Sequence, residues 1–192
     1  MKNNIQTSGS IRDEALYYIS INLPIIPVCS PTHLGMSVAH MTKCKSPGKA
    51  PLLKNWQSWS VTTREDILEW FRDAKNIPIN IGLPFGLPSG IIGLDIDNRQ
   101  GEIILLAMSN GVIPPTWEFT TGKGRRLLFR LPSGLKTKKI KISGEGKHEE
   151  MAILTDGCHT VMPPSVHPSG TVYRWKLGCS PREINLADCP DW

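Results

Sequence analysis

The chain has 192 residues, 40% of them hydrophobic and 20% charged, with a formal net charge of +5. This composition excludes a disordered chain, and the length suits one domain with a real core. No apolar run reaches the ~18 residues of a membrane span, the polar start lacks the apolar segment of a secretory signal, and the cysteines number five, an odd count for a disulfide framework.

The expectation is therefore a cytoplasmic protein, with residues 1–10 a flexible lead-in to a domain over 11–178. Residues 11–23, IRDEALYYISINL, carry Ala15, Leu16, Ile19 and Leu23 at helical spacing. PIIPVC then reads as a short buried strand. Residues 30–49 have no clean period and are rich in His, Cys, Ser and Gly, which marks a long loop or insertion. Around it, Cys29, His33, His40 and Cys44 form a C-x3-H-x6-H-x3-C arrangement. Thiolates and imidazoles at such spacings suit a tetrahedral zinc ion; the alternative is free thiols beside exposed histidines. Four protein ligands would make the zinc structural, ordering the loop that delivers Lys49 and Lys54. Cys158, Cys179 and Cys189 show no comparable spacing.

TTREDILEWFRDAK predicts a helix with a capping box, Thr62 followed by Glu65, and with Ile67, Leu68 and Phe71 on one side. NIGLPFG and GIIGLDID predict two strands joined as a hairpin by a Gly/Pro/Ser turn. QGEIILLAMSNG predicts a helix stopped at Gly111. Short strands follow at WEFTT, RRLLFR, KIKIS, MAILT, HTVM and TVYRW, and residues 179–192 read as a tail or the start of a linker. Helices and strands in this order indicate an α+β fold on a mixed or antiparallel sheet flanked by helices.

Three stretches carry chemistry. In GLDID, Asp95 and Asp97 share one strand face, opposite Leu94 and Ile96. Side-by-side carboxylates repel unless a proton or cation lies between them, and Mg²⁺ or Mn²⁺ is a natural partner. The alternative is a solvated strand end or a cap on the next helix. An EF-hand is excluded, because the positions that would need Gly and Glu hold Gln100 and Leu106. In TTGKGRRLLFR, Gly122 and Gly124 permit close backbone approach beside Lys123, Arg125 and Arg126, a candidate triphosphate cradle. In MPPSVHPSGTVYRW, Ser165 and His167 sit in a rigid loop and are candidates for a phosphate or sugar, against an ordinary Pro-rich turn. From residue 123 to 147 Glu145 is the lone acid. Such a basic stretch favours a polyanionic partner or is a solvated hairpin.

The ordered set CKSPGKAPLLKNWQ, NIGLPFGLPSGIIGLDIDN, TTGKGRRLLFRLP and DGCHTVMPPSVHPSGTVYRW resembles the N-terminal domain of bifunctional DNA primase/polymerases of plasmids, phages and integrated elements, in the archaeo-eukaryotic primase superfamily. The resemblance implies an RRM-like sheet and metal-dependent nucleotidyl transfer to a 3′-hydroxyl in the replication of a mobile element. Asp95 and Asp97 would hold the catalytic Mg²⁺ or Mn²⁺. Lys49, Lys123, Arg125, Arg126, Ser165 and His167 would hold an NTP or dNTP. Lys136, Lys138, Lys139 and Lys141 would lie along the DNA template or primer, with a replicative helicase as a further candidate partner. Two positions depart from the family pattern. Arg126 replaces its usual histidine, and Ala152 stands where a third carboxylate belongs, with Glu150 the candidate substitute. The alternative reading is a catalytically degenerate domain that binds DNA or nucleotide during replication initiation.

Overall fold

Local chemistry sets the helices. In this computed structural model, which describes residues 9–72, 78–135, 139–143 and 150–192, Ser10 caps α1 (Ile11–Ser20) by accepting from the Asp13 N–H at 3.1 Å. Ala15 and Tyr18 are its fully buried residues. Tyr18 donates to the Pro163 carbonyl at 2.8 Å and accepts from the Trp175 indole at 2.9 Å, so the helix anchors the Pro-rich loop and the last strand. The predicted face is buried at Ala15, with Leu16 and Ile19 packed at its margin; the helix ends before Leu23, which is buried beyond it.

α2 (Val38–Lys43) is one short turn within the Cys/His stretch, and Trp56–Ser58 form a 3₁₀ turn. In α3 (Arg64–Trp70) the capping box is Thr63 with Asp66, one residue later than the sequence pattern indicates. Thr62 is used elsewhere: its hydroxyl donates to the Ile25 carbonyl and accepts from the Ile25 N–H and the Trp59 indole, tying α3's entry to the first strand. Ile67 and Phe71 face inward, but Leu68 is exposed.

The strands form two antiparallel sheets. β1 (Ile26–Val28), β2 (Asn80–Pro84) and β8 (His159–Val161) make a three-stranded sheet with β2 central. The larger sheet has the order β6 (Ile140–Ser143), β7 (Met151–Leu154), β3 (Ile91–Asp97), β5 (Gly124–Arg130), β4 (Trp117–Thr120), β9 (Arg174–Trp175). The predicted β2–β3 hairpin does not form. The two strands lie in different sheets, because β2 is already paired on both edges; an isolated Gly86–Ile91 bridge closes the turn between them. The turn between them carries the chain from one sheet to the other.

Alternation divides the large sheet between two cores. One face, with Ile91, Leu128, Phe119 and Ala152, packs against the small sheet, α1 and α3. The other, with Ile92, Leu94, Ile96, Leu127 and Phe129, is covered by Leu105 of α4 (Asn98–Ser109) and by the C-terminal residues. Residues 179–192 are not a tail. The Ala187 carbonyl accepts from Arg130 N–H at 2.9 Å, the Ile184 carbonyl accepts from the Trp117 indole at 2.9 Å, and Trp192 packs on the second core. Of the sequence expectations, the lead-in over residues 1–8 and the lysines Lys136 and Lys138 lie outside the described residues.

Candidate functional site

Strand register builds the site. A single cross-strand row runs Lys141, Ala152, Asp95, Arg126, Phe119, Trp175 across all six strands of the large sheet. Side chains in such a row share a face, so Asp95 looks toward the small sheet between Arg126 and Ala152. Asp97 is two residues on, opposite Gly124. A Cβ at Gly124 would meet the Ile96 carbonyl oxygen at 2.0 Å, so only glycine lets β5 close on β3 here.

Asp97 stands at the N-cap of α4, yet its side chain makes no cap bond. Asn98 fills that role by accepting from the Gln100 N–H at 2.8 Å, with its own backbone left-handed at φ 57°. The Asp97 carboxylate is thus left to face the cleft. Burial, followed by the Asp95 charge, raises its pKa. Asp95 is held differently. The Arg126 guanidinium gives it two hydrogen bonds, both to Oδ1, from Nε at 3.0 Å and from NH2. Arg126 NH1 donates to Thr160 Oγ1 of β8 at 2.5 Å, so this one side chain spans the two sheets.

Lys49, Asp95, Asp97, Thr121, Gly122, Lys123, Arg126, His159, Val161, His167 and Tyr173 enclose a cleft of about 170 Å³. Three cations and two carboxylates converge there. Lys49 is exposed at the rim, and desolvation of its ammonium, then the Arg126 charge, lowers its pKa. His167 Nδ1 accepts from the Ser169 N–H at 3.1 Å, which puts the ring proton on Nε2 as a donor. Burial, then Lys49 and Lys123, lowers its pKa and favours the neutral ring. The ring lies over Gly122, where a Cβ would come within 2.8 Å of three of its atoms. This cleft has what a polyphosphate and a divalent cation need: converging cations and a pair of carboxylates.

Comparison with protein families agrees with this geometry. The family described as bifunctional DNA primase/polymerase, N-terminal, matches residues 15–192. The chain belongs to that family. A comparison with curated proteins finds no match. Membership gives the domain a primase/polymerase-like function, in a family that is typically metal-dependent, and implies DNA and nucleotide as its partners. Among the described residues, no helix is long and apolar enough to cross a membrane.

Some residues singled out in the sequence stand away from the cleft of this primase/polymerase domain. Arg125 points to the opposite face, where its guanidinium bonds both oxygens of Glu102 on α4 at 2.6 and 2.8 Å and Glu118 at 3.0 Å. Those carboxylates hold its pKa high, and it works as a brace between α4 and the sheet. Ser165 is fully buried, its hydroxyl accepting from Ile81 N–H at 3.1 Å and donating to the Ile81 carbonyl. It fastens the Pro-rich loop to β2. Glu150 is not among the described residues lining the cleft; its carbonyl accepts from Asp97 N–H at 2.8 Å. Ala152, the neighbour of Asp95 in register, is buried. Lys139 and Lys141 are exposed at β6, and Lys141 shares the face of Asp95 two strands away, about 10 Å.

The four Cys/His positions do converge. Cys29 follows β1, His33 sits in a turn, His40 lies on α2 and Cys44 caps it, and one ligand atom from each lies within 4.8 Å of every other. His33 Nε2 and His40 Nε2 are buried with no hydrogen-bond partner. Burial, with Cys44 adding to it, raises the Cys29 thiol pKa. Orphaned imidazole nitrogens facing two thiols are what a cation would satisfy, and the donor set could bind zinc.

Sequence reasoning missed His159, Thr160, Tyr173 and Asn80. His159 Nε2 pairs with the Lys49 carbonyl at 2.8 Å under the Trp56 ring, and burial lowers its pKa to about 4. Because the neutral ring must donate to that carbonyl, its proton is on Nε2. The small sheet brings His159 to the cleft, Tyr173 reaches it from just before β9, and Thr160 and Asn80 act behind it; no local spacing signals these placements.

Proposed function

We propose that the domain is a template-directed DNA primase/polymerase that transfers nucleotidyl groups to a 3′-hydroxyl, serving replication of a mobile element. The observation that carries this reading is the cleft itself, where Asp95 and Asp97 converge with Lys49, Lys123, Arg126 and His167. Asp95 and Asp97 would hold Mg²⁺ or Mn²⁺, which supplies charge neutralisation on the phosphates and acidifies the attacking hydroxyl. Glu150, the residue before β7 whose carbonyl accepts from Asp97 N–H, is the proposed third carboxylate.

Lys123 and Arg126 take the triphosphate oxygens from the β5 side, and Lys49 takes them from the small-sheet side. Charge-assisted bonds of this kind both bind the substrate and position it for in-line attack. His167 donates from Nε2 to a phosphate or sugar oxygen. Pyrophosphate leaves toward the lysines, which stabilise its developing charge. Lys136, Lys138, Lys139 and Lys141 lie along the template or nascent duplex, on an RRM-like reading of the six-stranded sheet. Zinc in the Cys29–His33–His40–Cys44 site completes the fold.

A second reading is favoured by two observations: Arg126 saturates Asp95 Oδ1, and Ala152 leaves the next strand without a carboxylate. In that reading the domain binds nucleotide or DNA without polymerising. A priming and extension assay with Mn²⁺ on homopolymer templates separates the two. Incorporation restricted to the template-complementary nucleotide supports polymerisation, and triphosphate binding without any incorporation supports the second.

A further inference from the structure

The loop between β1 and the 3₁₀ turn carries both the Cys/His cluster and Lys49, and its backbone ties the two together. Cys29 N–H donates to the Ala50 carbonyl at 2.9 Å and Gly48 N–H to the Ser30 carbonyl at 3.0 Å, so Lys49 is flanked by two residues fastened to the base of the cluster. Gly48 is left-handed at φ 69°, and a Cβ there would lie 3.0 Å from Pro31 Cα and 3.3 Å from Pro168, the residue after His167.

The other side of the loop is held from the cleft. The fully buried Asn80 of β2 donates from Nδ2 to the Gly48 carbonyl at 2.9 Å and to the Val166 carbonyl at 2.8 Å, and accepts from Val166 N–H at 3.0 Å. Val166 immediately precedes His167. His159, in turn, donates to the Lys49 carbonyl. One amide therefore joins the loop of the Cys/His cluster to the loop of His167, with Lys49 between them.

Resting on the nucleotidyl-transfer reading, we propose that zinc bound by Cys29, His33, His40 and Cys44 sets the affinity of the cleft for nucleoside triphosphate by fixing the loop that places Lys49. Two thiols, two imidazoles and a single short helical turn give the intervening residues little else to fold around, because α2 has no buried residue. Without the ion the buried Nε2 atoms of His33 and His40 keep no partner, and the turn that fastens Gly48 to Ser30 loses its support. Lys49 then leaves the cleft wall, whereas Lys123, Arg126 and the aspartates, built on β3 and β5, stay where they are.

The test uses the full chain and a fluorescent dATP with Mg²⁺, read by anisotropy, with zinc content measured on the same samples. Zinc-loaded protein is expected to bind about tenfold more tightly than chelator-stripped protein, the weight of one charge-assisted contact. Lys49→Ala is expected to bind like the stripped protein and to be indifferent to zinc. Equal loss on stripping in wild type and Lys49→Ala, or unchanged affinity in stripped protein that keeps its circular dichroism, would overturn the coupling. So would purified protein that holds no zinc and gains no affinity for dATP when zinc is added. Zinc-loaded protein that binds no triphosphate overturns the nucleotidyl-transfer reading as well. Asn80→Leu gives an independent check. It breaks the bridge outside the metal site, and a folded, zinc-retaining variant should show the weakened binding; wild-type affinity in it would count against the proposal.

Discussion

Replacing Arg126 with glutamine should weaken the fold and tighten metal binding at once. Arg126 and Asp95 have side chains 12% and 23% exposed, and Nε lies 3.0 Å from Oδ1. At an effective dielectric of ~20, two unit charges at that distance attract by roughly 5 kcal/mol before desolvation is counted. Measured losses run from about 0–1 kcal/mol for exposed pairs to about 3–5 kcal/mol when one partner of a buried pair is removed. This pair lies between, so Arg126→Gln is expected to cost ~2 kcal/mol at pH 7, the shorter glutamine amide standing where Nε meets Asp95 and leaving Thr160 without its NH1 partner. The second consequence has the opposite sign. Asp95 Oδ1 no longer serves a guanidinium, and the two aspartates lose a nearby positive charge. Mn²⁺ affinity without nucleotide should rise about tenfold, equivalent to ~1.4 kcal/mol. Urea melts read the first effect and Mn²⁺ titration by electron paramagnetic resonance the second. A general loss of structure would weaken both, whereas this pairing moves them apart. Unchanged Mn²⁺ affinity in a folded variant would refute the claim that Arg126 competes with metal for Asp95.

Other consequences follow from single contacts. Gly122→Ala drives a methyl into the His167 ring, so triphosphate affinity should drop several-fold, as one neutral hydrogen bond of ~1 kcal/mol would require, with little change in Mn²⁺ affinity. His159 has a folded pKa near 4 against an ordinary 6.5. As pH falls from 6.5 toward 4 the unfolded chain takes up a proton that the folded chain does not, so stability is full above 6.5 and drops by as much as about 3 kcal/mol. His159→Gln should flatten that part of the pH–stability curve in chemical denaturation; an unchanged slope would mean the ring is not buried neutral. Asp97 has its folded pKa raised above 3.8 by burial and Asp95. Its charge therefore opposes folding above the folded pKa, and the penalty disappears as pH falls through 3.8. Asp97→Asn should melt higher than wild type at pH 7 and equally at pH 3, since Asn98 and not Asp97 caps α4.

The strands were legible because a two-residue period is visible in short segments, and it correctly placed Asp95 and Asp97 on one face and Leu94 and Ile96 on the other. The Cys29, His33, His40 and Cys44 cluster was legible because its donors are chemically distinctive at close sequence spacing. Strand partners were not. A Gly/Pro turn between NIGLPFG and GIIGLDID looks like a hairpin locally, but pairing of β2 with β1 and β8 takes both its edges. Arg125 and Arg126 look equivalent in the sequence; the pleat sends one to Glu102 and the other to Asp95. Ser165 reads as a ligand in a Pro-rich loop until β2 is seen to use its hydroxyl. Thr62 and Thr63 both fit a capping pattern, and the demand of Ile25 for a partner decides between them. In each case a residue distant in sequence sets the outcome.

The most direct test of the account is Mn²⁺-dependent extension of a DNA primer by wild type and by the Asp95→Asn/Asp97→Asn double variant. The cleft geometry predicts template-complementary extension by wild type and a loss of at least about a hundredfold in the variant, on the scale of removing a main electrostatic group from an active site. Equal, background-level product from both, with DNA and triphosphate still bound, would contradict it.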